Sequence, residues 1–269
     1  MKKGYVDTTR GQVHYCREGD NGPDLFLFHG TPLSSREFER CIPIFGRSTR
    51  VVAFDTPGYG ASDPPDAPTT VEVYAAWLLE AIDAIGGKEF ALGGIHTGAA
   101  IAVELIRQAG KRVTHAIFSG IPLMTGDEKK KAAERLGEPA AQEDGGHLAR
   151  MWQLRAESWG KETSLGHLQM AASDTMRIYD RHDWGAKAVF AHDCVPALKE
   201  LKCPVLFLNA DGDRLAEADT KAAELVAGSV LKIVPDVAGQ LPWRAPEIYA
   251  REILEFIGAP VPSMRVGRT

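Results

Sequence analysis

The stretch LGGIHTGAA, residues 92–100, predicts a strand, a sharp turn and a helix in immediate succession. It joins an apolar run to a run of small residues through the pattern Gly-x-His-x-Gly. A turn of this outline, a nucleophile elbow, exposes the side chain at its tip above the end of a buried strand. Such a tip ordinarily carries serine, cysteine or aspartate. The pattern therefore predicts that His96 points into a cavity, in the place of an attacking group.

Short apolar runs on both sides of this stretch predict a mainly parallel sheet. Runs of this length, bounded by Gly, Pro or Asp, are typical of strands that are buried on both faces. Helical patterns at 70–87 and 97–112 alternate with them. Residues 4–20 alternate polar and apolar side chains and predict an antiparallel hairpin at the sheet edge. The runs are DLFLF (24–28), RVVAF (50–54), FALGGI (90–95), THAIFSG (114–120), PVLFLNA (204–210) and VLKIVP (230–235).

The alternation breaks between residues 124 and 196. This segment is rich in Lys, Glu and Gly, and then in Trp, Met and His, and it carries helical signals without strand signals. We interpret it as a helical cap over 124–196, inserted into an α/β core formed by 1–123 and 197–262. Residues 263–269 are expected to form a loose C-terminal tail.

Composition and charge narrow the classes of partner. The chain has 269 residues and a formal net charge of −5, which gives no reason to expect nucleic-acid binding. No apolar run approaches the ~18 residues of a membrane span, and the first residues lack the apolar core of a signal peptide. The four cysteines show no C-x-x-C spacing, so we expect neither a metal site nor a disulfide framework. We expect a cytoplasmic protein that binds a small molecule without a cofactor, and we leave a homodimer open.

Several motifs identify a family resemblance by their order and spacing. The chain resembles the α/β-hydrolase superfamily over nearly its whole length, and its first motifs resemble the branch that includes epoxide hydrolases, haloalkane dehalogenases and proline iminopeptidases. The resemblance implies an eight-stranded, mostly parallel sheet flanked by helices, with an inserted helical cap. The motifs are FHGTPLSS (28–35), DTPGYGASDPP (55–65), GGIHTGAA (93–100), NADGDR (209–214) and VPDVAGQLPWRAPE (234–247).

The resemblance also implies which positions form the catalytic site. Carried over position by position, it sets His96 at the nucleophile, Asp213 at the acid and Gln240 where the family has histidine. Ser-His-Asp chemistry needs a hydroxyl, an imidazole and a carboxylate, so only the acid matches. Asp211, two residues earlier, is the alternative acid.

The residues that remain can be assembled into a relay. We expect Gln240 to donate its amide N–H to Asp213 and to accept a hydrogen bond from one ring N–H of His96. The other ring nitrogen is then left as a base. An unperturbed imidazole, with a pKa of ~6.5, is available as a base at neutral pH.

The resemblance further implies that the loop after the first parallel strand, with His29 and Gly30, shapes an oxyanion hole. Its donors are expected to be the backbone N–H groups of Thr31 and Thr97, since Pro32 has no N–H. His29 is expected to bond neighbouring backbone groups and not the substrate.

These features predict an enzyme that acts on a small, largely apolar organic molecule. Hydrolysis of an ester, a lactone or a similar bond is expected, with His96 as base or nucleophile, by analogy with the fold. A lyase, isomerase or cyclase that uses proton abstraction is the alternative reaction class. A non-catalytic binding protein that retains only the pocket is the other class of function.

Overall fold

The computed structural model describes residues 1–134, 141–159 and 163–263. Within them the strands form one eight-stranded sheet in the order β1-β2-β4-β3-β5-β6-β7-β8. Pairs that include β2 are antiparallel and the other pairs are parallel, so the predicted α/β architecture is confirmed. The strands are β1 (Lys2–Thr8), β2 (Gly11–Glu18), β3 (Asp24–Phe28), β4 (Arg50–Phe54), β5 (Phe90–Ile95), β6 (Val113–Ser119), β7 (Val205–Ala210) and β8 (Val230–Val234).

Every apolar run expected to be a strand forms one, but β8 differs in its burial. Val230 and Leu231 are 40% and 38% exposed, whereas β3, β5 and β7 are buried almost throughout. The reason is that β8 is the last strand of the sheet, where fewer elements cover its faces. The expected N-terminal hairpin also forms: β1 is the opposite edge strand, and β2 joins it to β4.

The helices cover both faces of the sheet. Side chains of β3 alternate between two apolar clusters: Phe26 and Phe28 pack with α2 and α3, and Leu25 and Leu27 pack with α1 and α11. The helices are α1 (Ile42–Phe45), α2 (Val71–Ala84), α3 (Thr97–Ala109), α4 (Gly126–Glu134), α5 (Gly146–Trp159), α6 (Leu165–Arg177), α7 (Trp184–Ala191), α8 (Val195–Lys199), α9 (Ala216–Leu225), α10 (Leu241–Arg244) and α11 (Pro246–Phe256).

Helices α4 to α8 lie between β6 and β7 in the chain and form what we call the helical insertion. Buried hydrogen bonds attach it to the core: the Ser34 hydroxyl donates to Asp174 at 2.6 Å, and the Gly185 N–H donates to the Tyr59 hydroxyl at 2.6 Å. The division of the chain into core, cap and tail stays a prediction. Parts of the cap (135–140 and 160–162) and most of the tail (264–269) lie outside the described residues.

None of the helices in the described part of the chain is both long and apolar enough to span a membrane.

Candidate active site

The turn between β5 and α3 has the geometry that the sequence predicts. His96 occupies the single position between the strand and the helix, with φ 48° and ψ −112°, a backbone conformation that is strained for a residue with a side chain. Gly98 allows the close approach behind it: an ideal Cβ there would lie 2.7 Å from the carbonyl oxygen of His29 and closer to that of Phe28. This close packing fixes the conformation of the turn, so that the side chain of His96 points away from the sheet.

The imidazole of His96 contacts Asp213 directly. Its Nε2 lies 3.1 Å from Oδ1 and 3.0 Å from Oδ2 of the carboxylate. Oδ1 also accepts a hydrogen bond from the Leu215 N–H at 2.8 Å. The Asp213 side chain is only 4% exposed, whereas that of His96 is 20% exposed. The buried carboxylate therefore holds one edge of a ring that is itself only partly exposed.

The expected relay through Gln240 is wrong. Gln240 lies at the start of α10 in the left-handed conformation, with φ 44° and ψ 52°. Its buried Oε1 has no hydrogen-bond partner among residues 1–134, 141–159 and 163–263. The physical reason is length, because an imidazole at the elbow tip reaches the Asp213 carboxylate without an intermediary. Asp211, the alternative acid, instead accepts hydrogen bonds from the backbone of Asp236 and Val237.

The direct contact changes the acid–base properties of both groups. Burial raises the pKa of Asp213, but His96, the Leu215 N–H and Arg214 together lower it by more, so the pKa lies below its ordinary value. Burial lowers the pKa of His96, but the Asp213 carboxylate raises it by more. The expectation of an unperturbed imidazole is therefore corrected: the ring binds its proton more tightly than a free histidine does.

Gly120, directly after β6, leaves the space that the ring occupies. An ideal Cβ at this position would lie 2.7 Å from Nε2 of His96 and closer still to Cδ2. The Cδ2–Nε2 edge of the ring thus faces Gly120 and Asp213, and Nδ1 lies on the opposite edge. Buried Asp219 fixes the backbone here by accepting the N–H groups of Gly120 and Ile121, each at 2.7 Å.

The two residues expected to form the oxyanion hole lie side by side. The hydroxyl oxygens of Thr31 and Thr97 are 2.8 Å apart. No described residue accepts a hydrogen bond from the backbone N–H of either one. His29 is buried behind the loop, where its Nε2 accepts the Thr56 N–H at 2.9 Å, as a structural histidine would.

Glu37 supports the same loop from beneath. Its Oε2 accepts the Gly30 N–H at 2.8 Å, and the side chain is buried. Burial raises the pKa of this carboxyl to about 7, although the hydrogen bond from Gly30 lowers it. Glu37 therefore positions the backbone that leads into Thr31.

Two adjoining cavities open at His96. One has a volume of about 120 Å³ and includes Asp213 and Gln240 in its lining. The other has a volume of about 760 Å³, and side chains of α5 and α7 in the helical insertion contribute to its wall. The cavities share the residues around the elbow and the facing helix, namely Thr31, Pro32, His96, Arg155, Ser158 and Arg214. Within the described parts of the chain, no group of three or more His, Cys, Asp or Glu side chains could hold a metal ion.

Three residues at this site could not be identified from the sequence. Glu37 has no distinguishing signal, since the neighbouring acid Glu39 has the same local context and only the fold buries one of them. Gly120 ends an apolar run, but its contact with His96 requires β5 and β6 to be adjacent. Arg155 lies within the helical pattern of α5, but that pattern does not indicate which face of the helix lines the cavity.

Comparison with known proteins agrees with this fold. The chain is 25% identical over 265 residues to Carboxylesterase YbfK of Bacillus subtilis strain 168, covering 94% of this chain and 86% of that protein. The bromoperoxidase from Bacillus anthracis superposes with a TM-score of 0.81 at 16% identity, covering 96% of this chain and 100% of that one. The enol-lactonase from Burkholderia xenovorans LB400 superposes with a TM-score of 0.76 at 17% identity, covering 95% and 100%.

The family model described as alpha/beta hydrolase family matches residues 25–252. That match covers most of the chain and includes both the elbow and the loop after β7 that carries Asp213. The chain belongs to the alpha/beta hydrolase family.

Proposed function

We propose that the protein hydrolyses an ester, lactone or similar bond of a small organic molecule, with His96 as the general base. The observation that carries the proposal is the orientation of the imidazole. Asp213 holds Nε2, and the opposite ring edge, which bears Nδ1, makes no hydrogen bond to any described residue. An aspartate that holds one ring nitrogen fixes the tautomer in which the other nitrogen has the lone pair.

The proposed reaction begins with a water molecule between Nδ1 and the substrate carbonyl. Nδ1 takes a proton from the water, the oxygen adds to the carbonyl carbon, and the carbonyl electron pair moves to its oxygen. The backbone N–H groups of Thr31 and Thr97 then stabilise that oxyanion. When the intermediate collapses, the leaving oxygen takes the proton from the His96 imidazolium and departs as an alcohol.

Two further observations support this proposal. The backbone amides of Thr31 and Thr97 have no acceptor in the part of the chain that the structure describes, which leaves both available to a developing negative charge. Among the similar proteins, one is named a carboxylesterase and another an enol-lactonase, and both names denote hydrolysis at an acyl carbon.

A site with a base and oxyanion donors, but with no hydroxyl group at the tip of the elbow, is also suited to proton abstraction next to a carbonyl. A lyase, isomerase or cyclase is therefore the second candidate. The two are distinguished by the product, because hydrolysis incorporates oxygen from water and proton abstraction does not.

Chromogenic esters test the proposal. We expect wild-type protein to release p-nitrophenolate from p-nitrophenyl acetate or butyrate, and His96→Ala to reduce kcat by about 10³-fold or more. The control is His14→Ala, because His14 also pairs with an aspartate, Asp55 at 2.8 Å, but lines neither cavity. Equal loss in both variants, or no hydrolysis by the wild type, would contradict the proposal.

A further inference from the structure

Two arginines lie beside His96 on the wall of the cavities. Arg155 projects from α5 of the helical insertion, and Arg214 directly follows Asp213 in the chain. Both contribute to the lining of the small and the large cavity, as His96 does. The site therefore brings two cationic groups to the space that a substrate of His96 would occupy.

Neither guanidinium has an acceptor within the described residues. The side chains of Arg155 and Arg214 make no hydrogen bond and no ion pair with these residues, and Nε of Arg155 is buried without a partner among them. A buried guanidinium nitrogen without an acceptor is unfavourable for the free protein. Other arginines of the chain do contact carboxylates: Arg36, Arg50, Arg107, Arg112, Arg181 and Arg251.

The nearby carboxylates are occupied or turned elsewhere. Asp213 binds His96 and the Leu215 N–H, and Glu37 lies behind Gly30. Glu157 contributes to the large cavity but is exposed and stands two residues from Arg155 on the same helix, where side chains do not face each other. Burial and the neighbouring Arg214 lower the pKa of Arg155 to about 10, which still leaves it charged at neutral pH.

We propose that Arg155 and Arg214 form a subsite for a carboxylate of the substrate, next to the bond that is cleaved at His96. The planar fork of a guanidinium pairs with both oxygens of a carboxylate, and a second cation beside it adds to the attraction. This proposal rests on the proposed hydrolysis at His96 for naming the ligand a substrate. Its chemical class is then a small ester or lactone that also carries a free carboxylate.

A matched pair of esters tests the subsite through catalysis. Monomethyl glutarate and dimethyl glutarate share the chain and the methyl ester, but only the first carries a carboxylate. We expect the kcat/KM of monomethyl glutarate divided by that of dimethyl glutarate to fall about 10- to 100-fold in Arg155→Met and in Arg214→Gln. This is the effect of losing hydrogen bonds to a charged group. The control, Arg150→Met, removes an exposed arginine of α5 that lines neither cavity and should leave the ratio unchanged.

Direct binding separates failure of the subsite from failure of the proposed function. If both esters are hydrolysed and the ratio is unchanged in both arginine variants, the subsite is wrong and the hydrolysis stands. If neither ester is hydrolysed, calorimetry with glutarate decides: binding that weakens about 10-fold in the arginine variants but not in Arg150→Met supports the subsite alone. No glutarate binding, or binding that is unchanged in both arginine variants, overturns it.

Inorganic phosphate is the final comparison. Tighter binding of phosphate than of glutarate, dependent on Arg155, would overturn the assignment to a carboxylate. If Arg155→Met does not fold, Arg214→Gln gives the same readouts from an exposed loop position.

Discussion

Nε2 of His96 lies 3.0 Å and 3.1 Å from the two carboxylate oxygens of Asp213. The contact joins the elbow after β5 to the loop after β7, two strands away in the sheet. It forms an aspartate–histidine pair in which the histidine itself occupies the elbow tip. Asp213 therefore acts on the proposed base directly, and no side chain intervenes.

Asp213→Asn is expected to reduce kcat by about 10³-fold or more. An asparagine amide can present an N–H to the ring, which favours the tautomer with the lone pair on Nε2 and the proton on Nδ1. The base would then face away from the substrate. Steady-state kinetics measure the loss, and NMR of the imidazole nitrogens should show the exchanged tautomer. A variant with near wild-type kcat would contradict the direct role of Asp213.

The pH dependence of the reaction is expected to follow the raised pKa of His96. Only the neutral ring is a base, so kcat/KM should rise with pH through an apparent pKa above the ordinary ~6.5 of histidine. Removing the negative charge in Asp213→Asn should move the midpoint to lower pH. A profile that is flat between pH 5 and 9, measured with a neutral ester, would be inconsistent with this base.

Gly120→Ala is expected to displace the ring and lower kcat about 100-fold, the effect of misplacing a reacting group by about 1 Å. The added methyl group would occupy the space of Cδ2 and Nε2. Gly258→Ala is a matched control, because both glycines have φ +69° and no atom of the described residues lies within 4 Å of a Cβ on Gly258. The two variants should share a backbone penalty of ~1 kcal/mol, measured by thermal unfolding, but only Gly120→Ala should lose activity. Equal activity of the two would show that the ring does not depend on this space.

Glu37→Gln is expected to reduce the pH dependence of stability. The pKa of Glu37 rises to about 7 on folding. The contribution of this carboxyl to the free energy of unfolding is therefore fully present only below its unfolded pKa. That contribution is lost as pH rises from about 4.5 through about 7, at most ~1.4 kcal/mol for each pH unit. Glutamine can still accept the Gly30 N–H but does not ionise. Urea unfolding at pH 5 and pH 8 measures the effect. If the free energies of unfolding of wild type and variant differ by the same amount at both pH values, the prediction is contradicted.

The elements of the fold could be predicted from local patterns. Continuous apolar runs predicted the strands to within a residue or two, and the helical pattern from residue 70 matches α2, where the Thr70 hydroxyl accepts the Val73 N–H. The exposure of β8 could not be predicted in this way, because an edge strand and a central strand can share one apolar pattern. The difference depends on what lies beside them.

The candidate site could be predicted only in part. The Gly-x-His-x-Gly pattern at 93–98 predicted His96 at the tip of the turn, and the order of the family motifs implied Asp213 as the acid. The contact between them depends on the length of an imidazole and on the space at Gly120, which no spacing in the chain encodes. Gln240 matched a family position, yet its side chain makes no hydrogen bond to any residue that the structure describes.

Chemical rescue of His96→Ala is the most direct test of the central claim that this imidazole is the base. We expect the variant to lose turnover, to bind a non-hydrolysable substrate amide with little change in affinity, and to regain activity in proportion to added imidazole. The rescued rate should rise with the basicity of the added azole. Full activity of His96→Ala without any added base would contradict the account and would require a different residue to perform the chemistry.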